Sequence, residues 1–282
     1  MENILELIMK RASLTRRRIG IGILPENLNE SIKYYNQAIK YAEIIPCSSY
    51  DKLLDLLDKK EIEGIVRGQL DSSYELFNKL GEKYYFKKDF RVSIIKDVNC
   101  KIFFLGPTSI RWNHCLEDKK QYISRVINHM KDFMILDDEI KIAVLLPMHQ
   151  NDIIELKDSK KLLDRESIKQ LKLLEQAGRD NEDLINYLTN QGYHAKNYDN
   201  RIERALDDNV NFIVPFNGIY GNAISRALWL VDRRNTEEKA RLISLQLLTE
   251  NYYDWVIENT ASTEQDFSYH VISAVAWLNR KE

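Results

Sequence analysis

The chain has 282 residues, of which 44% are hydrophobic and 30% are charged, the composition of a globular protein with room for two medium domains. Its 41 lysines and arginines nearly balance its 43 acidic residues, which argues against a dedicated nucleic-acid or anionic-membrane surface. No run reaches the ~18 apolar residues of a membrane-spanning helix, and the stretch 1–18 lacks the apolar core of a signal peptide. We therefore expect a cytoplasmic protein that binds neither nucleic acid nor a membrane.

The cysteines give no sign of a metal or disulfide framework. Cys47, Cys100 and Cys115 are odd in number, and no two of them have CxxC spacing. Structural zinc sites and small disulfide-bonded domains both need closely patterned pairs. We therefore predict neither a metal site nor disulfide bonds.

Short apolar runs alternate with longer segments of helical period along the chain. After an amphipathic helix at the amino terminus, strands are predicted at 18–24, 42–46, 64–69, 91–96, 101–107, 141–148, 194–198, 211–216 and 241–248. Helices are predicted at 29–40, 72–83, 117–133, 180–191, 223–232 and 264–278. The polar stretch 149–161 is predicted to be a long loop. This alternation is typical of βαβ units and a mainly parallel sheet.

The first informative strand-to-helix junction reads EGIVRGQLDSSYELF, residues 63–77. Arg67 lies late in the strand, where burying an arginine is costly unless its guanidinium reaches solvent or an anion. Ser72 and Glu75 have the spacing of a capping box, which predicts a helix start at Ser72 or Ser73. Backbone N–H groups at a helix start favour an anion such as phosphate. The same residues are equally compatible with an ordinary helix cap.

The second junction reads NFIVPFNGIYGNAISRALWL, residues 211–230. Two glycines, Gly218 and Gly221, stand close together and predict either a positive φ or a close backbone approach. Asn222 is compatible with a ligand contact or with a simple helix cap. The helix that follows is predicted to turn five apolar residues inward, namely Ala223, Ile224, Ala227, Leu228 and Val231.

Two other features are interpreted without a functional role. The segment GIGILP has Pro25 where a dinucleotide fingerprint needs its third glycine, so a Rossmann cofactor site is not predicted. His270 lies among apolar residues of the last predicted helix, and we expect it to be structural.

Three segments, in this order, resemble the phosphate acetyl/butyryltransferase family: EGIVRGQLDSS, VPFNGIYGN and IENTASTEQDFSYHVISAVAW. Within that family the chain is most similar to a divergent archaeal branch, the methanogenesis marker protein 4 or MtxX-like proteins. This similarity lies at RGQL, FFLGP and GIYGNAISRAL. Proteins of this branch carry a methyltransferase label.

The resemblance implies a two-domain α/β/α architecture of the isocitrate and isopropylmalate dehydrogenase type, with mainly parallel sheets and a ligand cleft between the domains. The first domain would comprise 1–92 and 250–282, and the second 93–249. The resemblance also implies an acyl- or methyl-group transferase that binds a small anionic ligand, with coenzyme A or another phosphate-bearing coenzyme as the cofactor. It further implies a homodimer, formed through the helix 117–133 or the helix with Trp229. It also implies a partner in a methyltransferase complex.

The resemblance places catalysis at Asp266. It places ligand binding at Arg67, Gly68, Ser72, Ser73, Asn217, Gly221, Asn222 and Asn259. Several working positions of the family have changed here, because Asn259 and Thr260 stand where a serine and an arginine are expected. Asn78 stands near another expected arginine, and Asn217 replaces an aspartate. Two hypotheses therefore stay open: a group-transferase, or a catalytically inactive binding or assembly protein of the methyl-transfer machinery of methanogens.

Overall fold

The chain forms two compact units, Met1–Lys96 with Arg241–Glu282 (unit 1) and Asp97–Ala240 (unit 2). The structure is a computed structural model. It describes residues 4–71, 73–84, 90–97, 99, 101–109, 115–132, 139–158, 164–232, 241–248, 254–260 and 266–281. No helix within these ranges is long and apolar enough to cross a membrane.

Unit 1 is a sheet with helices packed against it. Its strands are β1 (Arg17–Gly22), β2 (Ala42–Cys47), β3 (Gly64–Val66), β4 (Phe90–Lys96), β9 (Arg241–Leu248) and β10 (Val256–Glu258). Its helices are α1 (Ile4–Ala12), α2 (Tyr50–Asp58), α3 (Ser73–Tyr84) and α9 (Ser268–Leu278), with 3-10 helices at Pro25–Tyr34 and Asn36–Ala38. The strand order is β2-β1-β3-β10-β9-β4, and β2, β1, β3 and β10 are parallel.

Unit 2 is a smaller sheet in which all neighbouring strands are parallel. Its strands are β5 (Ile102–Leu105), β6 (Lys141–Leu145), β7 (His194–Asp199) and β8 (Phe212–Val214), in the order β5-β8-β6-β7. Its helices are α4 (Leu116–Asp132), α5 (Gln150–Asp158), α6 (Arg165–Asn190), α7 (Ile202–Asp207) and α8 (Gly218–Asp232). The predicted α/β fold with mainly parallel strands is confirmed.

The predicted strands all form, but one of them pairs far from its chain neighbours. β1 to β9 fall on the nine predicted segments. β9 runs antiparallel between β4 and β10, which places it in unit 1. The sequence-based boundary at 249/250 instead groups this strand with the second domain. β10 was not predicted, because three residues give too short an apolar run.

Helix α9 returns the carboxyl terminus to unit 1. It packs against α1 and against β1, β3, β9 and β10. Its residues from Val271 to Trp277 are all buried, which explains why it reads as apolar on every side. A core of leucines and aromatic rings from α2 and α3 covers the same unit, including Tyr50, Leu53, Leu57, Leu76 and Phe77.

Two helical predictions need correction. The stretch 149–161 is not a long loop, because 150–158 forms α5, and only 159–161 lie outside the described residues. Ile153 of α5 is buried in a small core with Leu146 and Leu171. This helix is mostly polar, so its sequence does not indicate a helix, but the burial of one apolar side chain stabilises it. The segment 29–40 forms 3-10 turns in place of an α-helix.

Candidate functional site

The first predicted junction lies at the carboxyl ends of three parallel strands. β1, β3 and β10 lie side by side, with Val66 level with Ile21 and Glu258. Beyond Val66 the chain folds back, and the Gln69 N–H donates to the Gly22 carbonyl at 2.9 Å. Gly68 has φ +61°, and a Cβ there would lie 2.0 Å from the Gly22 oxygen. This turn therefore requires glycine for both conformation and space.

Arg67 holds this turn to the end of β10. The residue is only 6% exposed. Its Nη1 donates to the Leu70 carbonyl at 3.1 Å, and its Nη2 donates to the Thr260 carbonyl. In return, the Thr260 hydroxyl donates to the Gly68 carbonyl at 2.9 Å. These contacts give the arginine a structural role that sequence reasoning did not anticipate, and its predicted contact with a ligand stays a prediction.

A tyrosine hydroxyl contacts the end of the same turn that precedes α3. The Tyr50 hydroxyl donates to the Asp71 carbonyl at 2.7 Å and lies 3.3 Å from the Leu70 carbonyl. Burial raises the pKa of Tyr50 to about 12, although Arg67 acts in the opposite direction. The phenol therefore remains a protonated donor throughout the neutral range. The turn between β3 and α3 is held by side chains of α2 and β10 as well as by its own arginine.

The predicted capping box of α3 is only partly visible. The helix begins at Ser73, as predicted. Ser72 and the Ser73 side chain lie outside the described part of the structure, so their contact with a ligand stays a prediction.

Two predicted site residues follow β10, and one of them is buried while the other is exposed. Asn259 is buried, and its N–H donates to the Leu245 carbonyl at 2.7 Å. Its Oδ1 is also buried and has no hydrogen-bond partner within the described ranges. Asp266 is exposed, and its carboxylate accepts from the Ser268 N–H at 2.9 Å at the start of α9. That contact is a local turn contact one residue before the cap position of α9, and the predicted catalytic role of Asp266 stays a prediction.

A buried acid–histidine contact lies between β10 and α9. The Glu258 carboxylate accepts from the Ser244 hydroxyl at 2.7 Å and from the Leu245 N–H at 2.9 Å. Its Oε2 lies 3.2 Å from Nδ1 of His270, and both side chains are almost fully buried. This network gives His270 the structural role that the sequence predicts.

The second predicted junction starts α8 in unit 2. The Asn217 carboxamide accepts from the Tyr220 N–H at 2.8 Å, so Asn217 caps the helix. Asn222 lies inside the helix and is exposed, and its Nδ2 donates to the Thr108 carbonyl at 3.3 Å. The interpretation of Asn222 as the cap is therefore wrong, because the cap lies five residues earlier, at Asn217.

The two glycines of this junction face backbone. A Cβ on Gly218 would lie 1.8 Å from the Ser109 oxygen, and one on Gly221 would lie 2.1 Å from the Pro107 oxygen. Neither glycine has positive φ, so close approach is the correct one of the two predicted reasons. The helix packs through this glycine face. Ala223 and Ala227 are consequently exposed, and their predicted inward orientation is wrong.

A lysine that sequence reasoning missed lies near the same helix start. Lys119 of α4 is only 5% exposed, and its Nζ lies 5.8 Å from the centre of the Phe216 ring. Burial lowers the pKa of Lys119, while the charge of Asp180 acts in the opposite direction. Its ammonium makes no hydrogen bond or ion pair with the residues that the structure describes. No sequence signal separates it from the many solvated lysines of the chain.

A recess of about 450 Å³ opens beyond β6 and β7. Nδ1 of His149 lies 3.0 Å from Oδ2 of Asp199, and Arg201 and Arg204 line the same recess. Asp199 has φ +54°, an unusual conformation for a residue with a side chain. No local pattern predicts this pair, because β6 and β7 are separated along the chain by two helices.

Taken one unit at a time, the donors near each junction fit one compact anionic group better than a polyphosphate. Arg67 already donates to two carbonyls in unit 1. In unit 2, Lys119 has its three N–H donors available, and the buried Thr108 hydroxyl has no hydrogen-bond partner among the described residues. A coenzyme would thus be held mainly through one phosphate or carboxylate and through backbone contacts, while supplying the thiol or group carrier itself.

Comparison with solved structures shows which known fold this chain has. No family model matches the sequence. A phosphotransacetylase from Streptococcus pyogenes superposes with a TM-score of 0.60 at 11% identity, over 99% of this chain and 97% of that one. A branched-chain phosphotransacylase from Enterococcus faecalis V583 gives 0.57 at 11%, over 94% and 100%. The chain therefore has the phosphotransacetylase fold.

Two curated relatives place the chain more narrowly. An uncharacterized methyltransferase of Methanocaldococcus jannaschii is 31% identical over 223 residues, which cover 76% of this chain and 80% of the relative. Subunit X of a candidate mtx methyltransferase from Methanosarcina barkeri is 27% identical over 239 residues, covering 77% and 80%. The chain belongs to the MtxX-like family that these proteins represent, a divergent branch with the phosphotransacetylase fold.

Proposed function

We propose that this chain is a phosphotransacetylase-like group-transferase homologue that acts in methanogenesis and binds a phosphate- or coenzyme-bearing small molecule. The observation that carries the proposal is the pair of strand-to-helix junctions at the carboxyl ends of parallel strands: a glycine turn precedes α3, and two glycines lie in the first turn of α8. Ligands of open α/β sheets bind at such ends. The methyltransferase names of the two relatives support a transferred methyl or acyl group. The expected cleft between domains remains a prediction.

The second candidate is a catalytically inactive binding or assembly protein of a methyl-transfer complex. It is favoured by the neutral side chains at working positions of the family. Asn217 caps a helix, Asn259 is buried, and Arg67 donates to backbone carbonyls. Phosphate recognition by arginine depends on a bidentate geometry that asparagine does not reproduce. The relative named as subunit X of an mtx methyltransferase supports an assembly role.

A ligand screen separates binding from its absence. Native mass spectrometry and thermal melting would be measured against coenzyme A, coenzyme M, acyl phosphates, corrinoids and nucleotides. We expect at least one phosphate-bearing compound to raise the melting temperature, because ligands that bind only the folded state stabilise it. Product formation from a bound acyl phosphate and coenzyme A would favour the transferase, and binding without product would favour the assembly protein. No response to any compound would contradict the transferase and would leave the assembly role, which needs no small molecule.

Arg67→Met tests whether the arginine belongs to the site. If its guanidinium meets an anion, ligand affinity should fall by about 1.5–3 kcal/mol. Because Arg67 also holds the carbonyls of Leu70 and Thr260, we expect the free energy of unfolding to fall by about 1–3 kcal/mol as well. Arg179→Met, at an exposed position of α6, is the matched control and should change both by less than about 0.5 kcal/mol. Lost stability with unchanged affinity would make Arg67 purely structural.

A further inference from the structure

Lys119 lies on the buried face of α4. Residues three and four positions further along the helix, Tyr122 and Ile123, are fully buried. The next lysine in the chain, Lys120, is partly exposed and forms an ion pair with Glu117 at 2.7 Å. Two adjacent lysines of one helix thus differ completely in environment.

The contacts around Lys119 do not compensate a buried positive charge. The Phe216 ring lies 5.8 Å from Nζ, and such a cation–π contact recovers only a small part of the free energy lost when an ammonium leaves water. Asp180 attracts the charge, but the two groups form no ion pair within 4.0 Å in the described structure. Buried charges are usually paired, so the environment of Lys119 favours an anion as an additional partner.

The position of the ammonium suggests what this additional partner is. Phe216 follows β8 and directly precedes Asn217, the residue that caps the fifteen-residue helix α8. The ammonium therefore lies near the ring of a residue that joins the carboxyl end of a parallel strand to the start of a helix. Both places favour anions. The buried Thr108 hydroxyl, on the segment against which α8 packs, offers a further donor without a partner in the described ranges.

We propose that Lys119 is the counter-charge for a phosphate group of a bound small molecule, at the carboxyl end of β8 beside the first turn of α8. This inference rests on the proposed function, and it assigns the cationic side chain of that site in unit 2. Lysine binds phosphate as a point charge, without the bidentate geometry of arginine. Lys119 would thus supply the positive charge for phosphate binding that arginines supply in the wider family.

Two variants test the proposal with inorganic phosphate as the probe. Lys119→Met keeps the length of the side chain and removes the charge, and Lys120→Met is the matched control. The wild type and Lys120→Met should melt at higher temperature as phosphate is added. Lys119→Met should lose at least about tenfold in phosphate affinity. Its phosphate-free form should melt above the wild type, because an uncompensated buried charge has been removed.

Chemical modification of the wild type gives an independent readout. Reductive methylation with formaldehyde, followed by peptide mass spectrometry, measures the reactivity of each lysine. Phosphate should protect Lys119 and leave Lys120 unchanged. An absence of protection would overturn the proposal even if the methionine variant failed to fold.

The outcomes separate this inference from the proposed function. If phosphate or a coenzyme binds the wild type and Lys119→Met equally well, the assignment of Lys119 is wrong and the proposed function stands. If the wild type binds neither phosphate nor any coenzyme, both are wrong. A large loss of stability in phosphate-free Lys119→Met would also overturn the assignment, because it would mean that the ammonium is already satisfied.

Discussion

Gly68 shows how one residue fixes the turn after β3. Its φ is +61°, and a Cβ at this position would lie only 2.0 Å from the Gly22 oxygen, so there is no room for a side chain. We expect Gly68→Ala to lower the free energy of unfolding by about 2–4 kcal/mol, the sum of left-handed strain and a backbone clash. Urea denaturation measures this loss.

The control for this substitution is Gly178 in the middle of α6. A Cβ there meets no atom within 4 Å. Gly178→Ala should therefore raise stability by about 0.5–1 kcal/mol, because alanine is the better helix former. If Gly68→Ala were as harmless as Gly178→Ala, the close approach of the Gly68 turn to the Gly22 carbonyl would not exist in solution.

The ionisation of Lys119 gives a pH dependence whose sign is fixed. Burial lowers the pKa of Lys119 in the folded state below its ordinary value of 10.5. Between the two values the unfolded chain binds more protons, so the stability of the wild type rises with pH there. Lys119→Met lacks this group. We therefore expect the stability advantage of the phosphate-free variant to shrink as the pH rises towards 10.5.

Urea denaturation of both proteins from neutral to alkaline pH measures this difference directly. Lys120→Met, which loses only a paired lysine at a less buried position, should show no such convergence with the wild type. An advantage of Lys119→Met that stays constant over the whole range would mean that folding does not lower the pKa of the Lys119 amine.

At the scale of elements, the start of α8 depends on a single cap. The Asn217 side chain accepts from the Tyr220 N–H at 2.8 Å. Asn217→Ala should cost about 1 kcal/mol of stability, because this N–H loses its partner. Asn217→Asp should preserve stability, since a carboxylate caps equally well and favours the positive end of the helix.

The same pair of variants separates folding from binding. A carboxylate at position 217 would repel a bound phosphate, so Asn217→Asp should weaken phosphate binding while leaving the melting temperature of the phosphate-free protein unchanged. Isothermal titration measures the first and a thermal melt the second. Equal phosphate affinity in Asn217→Asp and wild type would place the anion away from this helix start.

At the scale of the whole molecule, we expect a homodimer formed through α8. The apolar face of α4 is buried, with Tyr122, Ile123 and Val126 fully covered. On α8, by contrast, Ile219 is 60% exposed, and Ala223 and Ala227 continue the same exposed face at intervals of four residues. The side chain of Trp229, named in the prediction, lies outside the described part of the structure.

Light scattering tests the dimer. The wild type should have the mass of two chains at micromolar concentration, and Ile219→Arg should shift it to one, because a charge at an apolar interface is costly. Ile154→Arg, at another exposed isoleucine of unit 2, is the matched control and should leave the mass unchanged. A monomer mass for the wild type would remove the dimer from consideration.

The residue pattern of the chain is enough to predict the alternation of strands and helices and the two glycine-containing junctions. All nine predicted strands form, because apolar periodicity and β-branched runs act locally. The sequence also predicts the close backbone approach at Gly218 and Gly221, as one of two reasons for the glycine pair, whereas the positive φ of Gly68 is seen only in the structure.

The contacts of the polar side chains near these junctions, by contrast, depend on how the elements pack together. Arg67 was identified as a charge that is hard to bury, but its partners, the Leu70 and Thr260 carbonyls, depend on how β10 pairs with β3. Lys119 becomes unusual only once α4 turns it inward beside Phe216. Hydrogen bonds and burial join residues far apart in the chain, and no local pattern in the sequence encodes them.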